Sequence, residues 1–178
     1  MDIDLGRPAE GDVVELILDD HRRFEELLRR LRDSSEDRNA VRHAFSRLHV
    51  AHAVAEEENV YPTLRRKDAI DEHEAEHGEE EHAEGHEALL AVLESDQVEG
   101  EDFEDLVEEL AKVVNHHLTE EELTILNPAR DDVTDDSRRE LGTAFAARRN
   151  ELLDGSAGSL DDVRRIVAKA REDGLLDA

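Results

Sequence analysis

Apolar positions recur every three to four residues along most of this chain, and short polar runs interrupt them. Wound at 3.6 residues per turn, Val13, Leu16, Ile17, Phe24, Leu27, Leu28 and Leu31 fall on one stripe. The spacing predicts a helix over about 12–33, capped by Asp12 with Glu15 as its capping-box partner, and "DSSED" ends it. A second helix runs from Arg38 to Arg66 on Val41, Phe45 and Leu48, with Pro62 disturbing its last turns. A third, over about 71–94, carries Leu89, Leu90 and Leu93. A fourth, over about 102–127, carries Phe103, Leu106, Leu110, Val113 and Ile125, and Asn127-Pro128 is expected to end it. Weaker stripes predict helices over about 135–153 and 160–173, the last capped by Ser159 and stopped near Gly174.

Four long amphipathic helices with short polar connections imply an all-α fold, an up-down-up-down four-helix bundle. The expected organisation is a disordered N-terminus over 1–11, the bundle over 12–130, and a two-helix C-terminal extension over 131–178. That extension is too short for a core of its own and is expected to pack on the bundle.

Charge narrows the function. Of 178 residues, 49 are acidic and 22 basic, for a formal net charge of −27. Such a surface argues against nucleic-acid phosphates and against anionic membranes. Cysteine is absent, which removes disulfides, thiolate nucleophiles, iron–sulfur clusters and cysteine zinc sites. Any metal must be held by His, Asp, Glu or main chain. No apolar run approaches the roughly 18 residues of a membrane span. "MDIDLGRPAEG" has neither the basic start nor the apolar run of a signal peptide, so the expected location is the cytoplasm. A monomer or weak homo-oligomer is expected.

The chemistry lies in polar residues that interrupt the apolar stripes. Each bundle helix carries one histidine in its stripe: His21, His52, His82 and His117. Glu56 and Glu121 follow His52 and His117 by four residues, and His86 follows His82 by four. Such pairs share a helix face, roughly 6 Å apart. Two carboxylates buried without partners cost several kcal/mol each, and no Lys or Arg falls in these stripes. A buried cation accounts for the whole set. His116 and Glu120 have the same spacing as His117 and Glu121, but the latter pair continues the Leu110–Val113 face. Glu57, Glu58, Glu120 and Glu122 read as solvated, and His73 and His77 as a solvated face or a loose divalent-cation site. His43 reads as surface and His49 as support for a ligand. Asn59 is expected to bond a ligand residue or bound water. Tyr61, about 180° from His52 on the helical wheel, reads as packing.

The stretches "LDDHRRF", "HAVAEEENVYP", "EEHAEGHEALLAVL" and "HHLTEEELTILNP", in that order over roughly 12–130, resemble the hemerythrin-like, or HHE cation-binding, family. The resemblance implies a bundle around a non-haem di-iron centre, two iron ions with an oxo or hydroxo bridge. Carried over by position, His21 and His52 would sit on one iron. His82 and His117, with or without His86, would sit on the other, and Glu56 and Glu121 would bridge. Oxygen carriers in the family have two histidines one turn apart on the third helix, which His82 and His86 match; many bacterial relatives have only the first. Carriers also use an Asp five residues after the fourth-helix histidine, where this chain has Glu121 at four and Glu122 at five. That places it nearer the bacterial HxxxE-HxxxE branch. The expected ligand is O2, peroxide or nitric oxide. The expected role is oxidative or nitrosative stress defence with catalase-like peroxide decomposition. The alternatives are a non-catalytic oxygen or iron binding or sensing protein, and an acidic interaction protein with a structural metal.

Overall fold

The computed structural model describes residues 3–177, and every regular element among them is helical. Helix α1 (Val13–Arg32) starts at Asp12, whose side chain accepts from the Val14 N–H. Glu15 does not close a capping box there, because its carboxylate takes Arg130 instead. Helix α2 (Arg38–Ala55) passes through one π-helical turn, Glu56–Val60, into α3 (Tyr61–Arg66). Helix α4 (Glu72–Glu94) opens with a full capping box between Asp71 and Glu74. Helix α5 (Glu101–Glu121) passes through a second π turn, Glu122–Leu126, into α6 (Asn127–Asp132). Helices α7 (Asp135–Asp154) and α8 (Leu160–Glu172) follow, the latter capped by Ser159 and stopped at Gly174, where φ is +80°.

Pro128 does not end the fourth helix. In a regular α-helix its ring would strike the carbonyl four residues back. The wide turn just before it lets the Asn127 N–H reach the Glu122 carbonyl, five residues back, and the rod continues with Pro128 in the first turn of α6. Pro62 is accommodated in the same way, with the Tyr61 N–H on the Glu56 carbonyl.

The long helices close a ring: α1 lies on α2, α2 on α4, α4 on α5, and α5 on α1. Neighbours run antiparallel. Along α1–α2, His21 faces His52 and Phe24 faces Phe45; along α1–α5, His21 meets Glu121 and Arg32 meets Glu108. Two apolar cores fill the ring, one built on Phe24, Phe45, Leu89 and Leu110, the other on Ile17, Leu64, Ile125 and Phe145. Each long helix crosses from one core to the other at its stripe histidine, so the polar residues form a layer between two oily ones.

Helix α7 lies against α1 and α2, and α8 against α4. Residues 3–11, read from the sequence as disordered, run as coil along α7. Leu5 is buried, Arg149 donates to the carbonyls of Leu5 and Gly6, and Asn150 donates to that of Pro8. Residues 1 and 2 lie outside the described residues. Gly142 allows this approach, since a Cβ there would lie 2.0 Å from the Gly11 carbonyl oxygen. Among the described residues no helix is long and apolar enough to cross a membrane.

Gly142→Ala should therefore lower the unfolding free energy by about 1–3 kcal/mol through overpacking, read from the midpoint of urea unfolding. An unchanged midpoint would mean that the N-terminal segment detaches freely.

A candidate metal centre between two apolar cores

In the polar layer, six side chains turn inward as two groups. His21, His52 and Glu121 form one; Glu56, His82 and His117 form the other; within each, one ligand atom per residue lies within 4.8 Å of the rest. All six are buried. The carboxylates knit the groups together. Glu56 Oε1 lies 3.2 Å from His52 Nε2, and its Oε2 lies 3.2 Å from His82 Nε2. Glu121 Oε2 lies 3.1 Å from His21 Nε2 and 3.8 Å from His117 Nε2. Each glutamate therefore reaches one histidine of both groups.

Every one of the four imidazoles is held from behind by a carboxylate. His21 Nδ1 donates to Glu122 at 3.0 Å, His52 Nδ1 to Asp20 at 3.1 Å, His82 Nδ1 to Glu57 at 2.8 Å, and His117 Nδ1 to Glu81 at 3.0 Å. A proton fixed on Nδ1 leaves Nε2 as the free base that a metal needs, and the carboxylate raises its basicity. Glu57 and Glu122, read from the sequence as solvated, thus hold two of the rings while their outer edges still reach water. Asp20 and Glu81 were not anticipated as partners. The missed signal is adjacency: Asp20, Glu57, Glu81 and Glu122 each directly adjoin one of the six inward-facing residues in the chain.

Asp20 has a further partner. Arg149 of α7, fully buried, grips it with two hydrogen bonds, Nε to Oδ2 at 2.6 Å and Nη2 to Oδ1 at 2.7 Å. The sequence offered no cation for these carboxylates; buried Arg38 on α2 bonds the Arg32 and Val98 carbonyls instead, and the cation that reaches Asp20 comes from the C-terminal extension. Phe145, from the same helix, stands edge-on to His52 with ring centroids 5.7 Å apart.

The π turns shape the rest. Tyr61, expected to pack away from the site, donates its hydroxyl to Glu121 Oε1 at 2.9 Å and stacks on His82. The one extra residue of the wide turn rotates everything after it by about 100°, a single helical step, which brings Tyr61 round to the inner face. Gly78 makes room, since a Cβ there would lie 3.0 Å from the Tyr61 ring. Asn59 does not reach a ligand residue. Its amide donates to the Ala55 carbonyl beside the bulge, and Thr124 does the same for Glu120 in the second wide turn.

His86 joins neither group. It is buried one turn beyond His82, its Nε2 has no hydrogen-bond partner, and its ring meets His49 edge-on at 4.9 Å. His49 makes no hydrogen bond to a ligand and packs between Phe24, Phe45 and His86. His43 is exposed. His116 is also outside the groups, half-exposed beside Glu81.

Burial disfavours charge on all these rings. At His52 the Glu56 and Asp20 carboxylates outweigh it and hold the imidazolium up to about 9. At His82, the charge of Glu56 and the hydrogen-bonded Glu57 carboxylate hold it up to about 10. Burial would raise the Glu56 carboxyl, but those two imidazoliums push it well below the carboxylate range. Burial and the charge of His82 lower His117. The residues fit a cation on independent grounds. The Nε2 atoms of His52, His82 and His117 and both oxygens of Glu56 are buried without a hydrogen-bond partner. Orphaned donors and acceptors are rare in protein interiors. Here they are lone-pair donors aimed at one another, in the imidazole–carboxylate set that suits transition metals.

A helical bundle with paired buried His/Glu groups defines a metal-binding protein. The chain belongs to the hemerythrin family: the model of the hemerythrin HHE cation binding domain matches residues 12–128. No curated protein and no solved structure matches it.

Two outcomes follow. In the metal-free protein, His52 and His82 titrate near 6.5 when unfolded and near 9 and 10 when folded. Their stabilisation is complete below the unfolded value and is lost as pH rises through the folded ones. The metal-free melting temperature should therefore fall between about pH 7 and 10, while the metal-loaded protein, whose imidazoles are neutral ligands, holds steady. Parallel melting curves would count against metal at these residues. Arg149→Met strips Asp20 of its cation and should cost about 3–5 kcal/mol in denaturant unfolding. It should also weaken metal binding about 10–100-fold by freeing His52.

Proposed function

We propose that this chain holds two iron ions in the paired groups and turns over hydrogen peroxide as a stress-defence protein of the bacterial HxxxE-HxxxE branch. The observation that supports this reading is the symmetry of the donor set. Each group offers two imidazoles and a share of both carboxylates, with His86 outside. With so few protein donors in each group, a bound iron pair would leave room for a small oxygen species. An iron pair, when bound, supplies redox chemistry toward peroxide or O2. The chain's own residues do the rest. The Nδ1 carboxylates hold the four rings against rotation, and the apolar cores on either side keep bulk water out. The Tyr61 hydroxyl, kept protonated by burial and by Glu121, holds a proton 2.9 Å from Glu121 Oε1. Disproportionation of two peroxides to one O2 and two waters balances without an outside reductant.

A second reading, reversible O2 binding or storage, draws on one observation: the unpartnered Nε2 of buried His86, one turn from His82. A third imidazole on the second ion would leave a single open position.

One set of measurements separates them. On the first reading the purified protein contains two irons per chain and evolves O2 from peroxide. His86→Ala keeps iron and most of that activity, and His52→Ala loses both. A stable oxygenated form without peroxide turnover, lost in His86→Ala, would establish the second reading instead. One equivalent of zinc and a featureless spectrum would overturn both.

A further inference from the structure

Outside the buried layer, Glu81 presents a second oxygen to another cluster. Its Oε2 holds His117. Its Oε1 is buried, without a hydrogen-bond partner, and faces the surface histidines: His116 Nε2 lies 3.4 Å away and His77 Nε2 3.6 Å away. The Glu81 side chain is only 6 % exposed, whereas the His77 and His116 side chains are 45 % and 61 % exposed. His77 and Glu81 are an i,i+4 pair on α4, and His116 reaches over from α5.

This arrangement is costly without a ligand. A buried carboxylate oxygen with no donor loses its hydration for nothing. His77 stacks on His73 with ring centroids 6.3 Å apart, but both imidazoles are exposed enough to turn their Nε2 lone pairs onto an ion seated at Oε1. The donor types, two imidazoles and a carboxylate, select zinc, iron, cobalt or nickel over calcium or magnesium. The chain around it, "DEHEAEHGEEEH", is strongly acidic and concentrates divalent cations at this end of α4.

We propose that His77, His116 and Glu81 Oε1 form a third cation site, on the surface, which takes a divalent transition metal and stages it for the buried centre. One carboxylate then spans the route, with the surface ion on Oε1 and the ring of His117 on Oε2. The site also ties α4 to α5 beside the buried groups. It stands on its own geometry and does not depend on which reaction the buried centre performs.

The test uses the full chain with its buried metal in place, titrated with Co2+ by calorimetry and visible absorption. The protein should take up a single additional Co2+, with imidazole-type absorption. His77→Ala and His116→Ala, both surface changes that leave the fold and the buried metal content untouched, should each weaken that uptake at least about tenfold. His43→Ala, an exposed histidine elsewhere, should not. In a second arm, metal-free protein is given Fe2+. The His77→Ala/His116→Ala double variant should load more slowly and reach the same final content. Equal Co2+ affinity in the wild type and both variants would overturn the site. Loading at the wild-type rate in the double variant would overturn its staging role.

Discussion

Two carboxylates buried at the centre of a helical bundle are the constraint on which this structure turns. Glu56 and Glu121 are essentially inaccessible to water. The penalty for desolvating such a charge is several kcal/mol each after relaxation, too much for a domain to carry uncompensated. The fold answers by turning four imidazoles toward them, one from each long helix. This forces each helix to interrupt its apolar stripe at the same level, and so divides the interior into two cores. A bound cation would supply the compensation that imidazolium protons otherwise provide.

Charge is then balanced outward in shells. Each imidazole leans on a carboxylate: Glu57 and Glu122 reach water at the edge of the bundle, and buried Glu81 turns its other oxygen toward the exposed His77 and His116. Asp20 has neither outlet. It is buried under α7, where solvent cannot screen it, and it is the one given a buried guanidinium. Arg149 in turn satisfies the carbonyls of Leu5 and Gly6. The segment before α1 and the helix after the bundle are thus joined through one cation and Asp20 to His52. The family match ends at residue 128, but the hydrogen-bonded support of the centre does not.

The helices and the six inward residues were legible in the sequence because both follow from periodicity: a histidine or glutamate in phase with leucines has nowhere to go but inward. What was not legible lies off that period. Tyr61 and Pro128 were misplaced for one reason. A π turn inserts a residue, and any wheel drawn at constant pitch through Glu56–Val60 or Glu122–Leu126 loses phase. Glu57 and Glu122 were set aside as solvated because each lies out of phase with its apolar stripe. The flank of a histidine is reached from just that angle, since Nδ1 points sideways when Nε2 points in. Arg149 could not be found from the bundle stripes at all, since it approaches Asp20 from 129 residues away in the chain.

The two wide turns also make the centre lopsided. Both follow a His-xxx-Glu pair and both precede a proline, so the second and fourth rods look like repeats. Yet the first begins at the glutamate itself and the second one residue after it. Only the first rod carries an aromatic residue there, where the second has Leu126, and Tyr61 bonds Glu121, the carboxylate of the other rod. Glu121 gains a neutral donor that holds it whatever the imidazoles carry. Glu56 has only the rings of His52 and His82, and both its oxygens lack a hydrogen bond. A carboxylate held by charge alone follows the charge, whereas one held by a hydroxyl stays where the hydroxyl puts it. Glu121 is thus held by a bond that no change of charge removes, and Glu56 by charge alone.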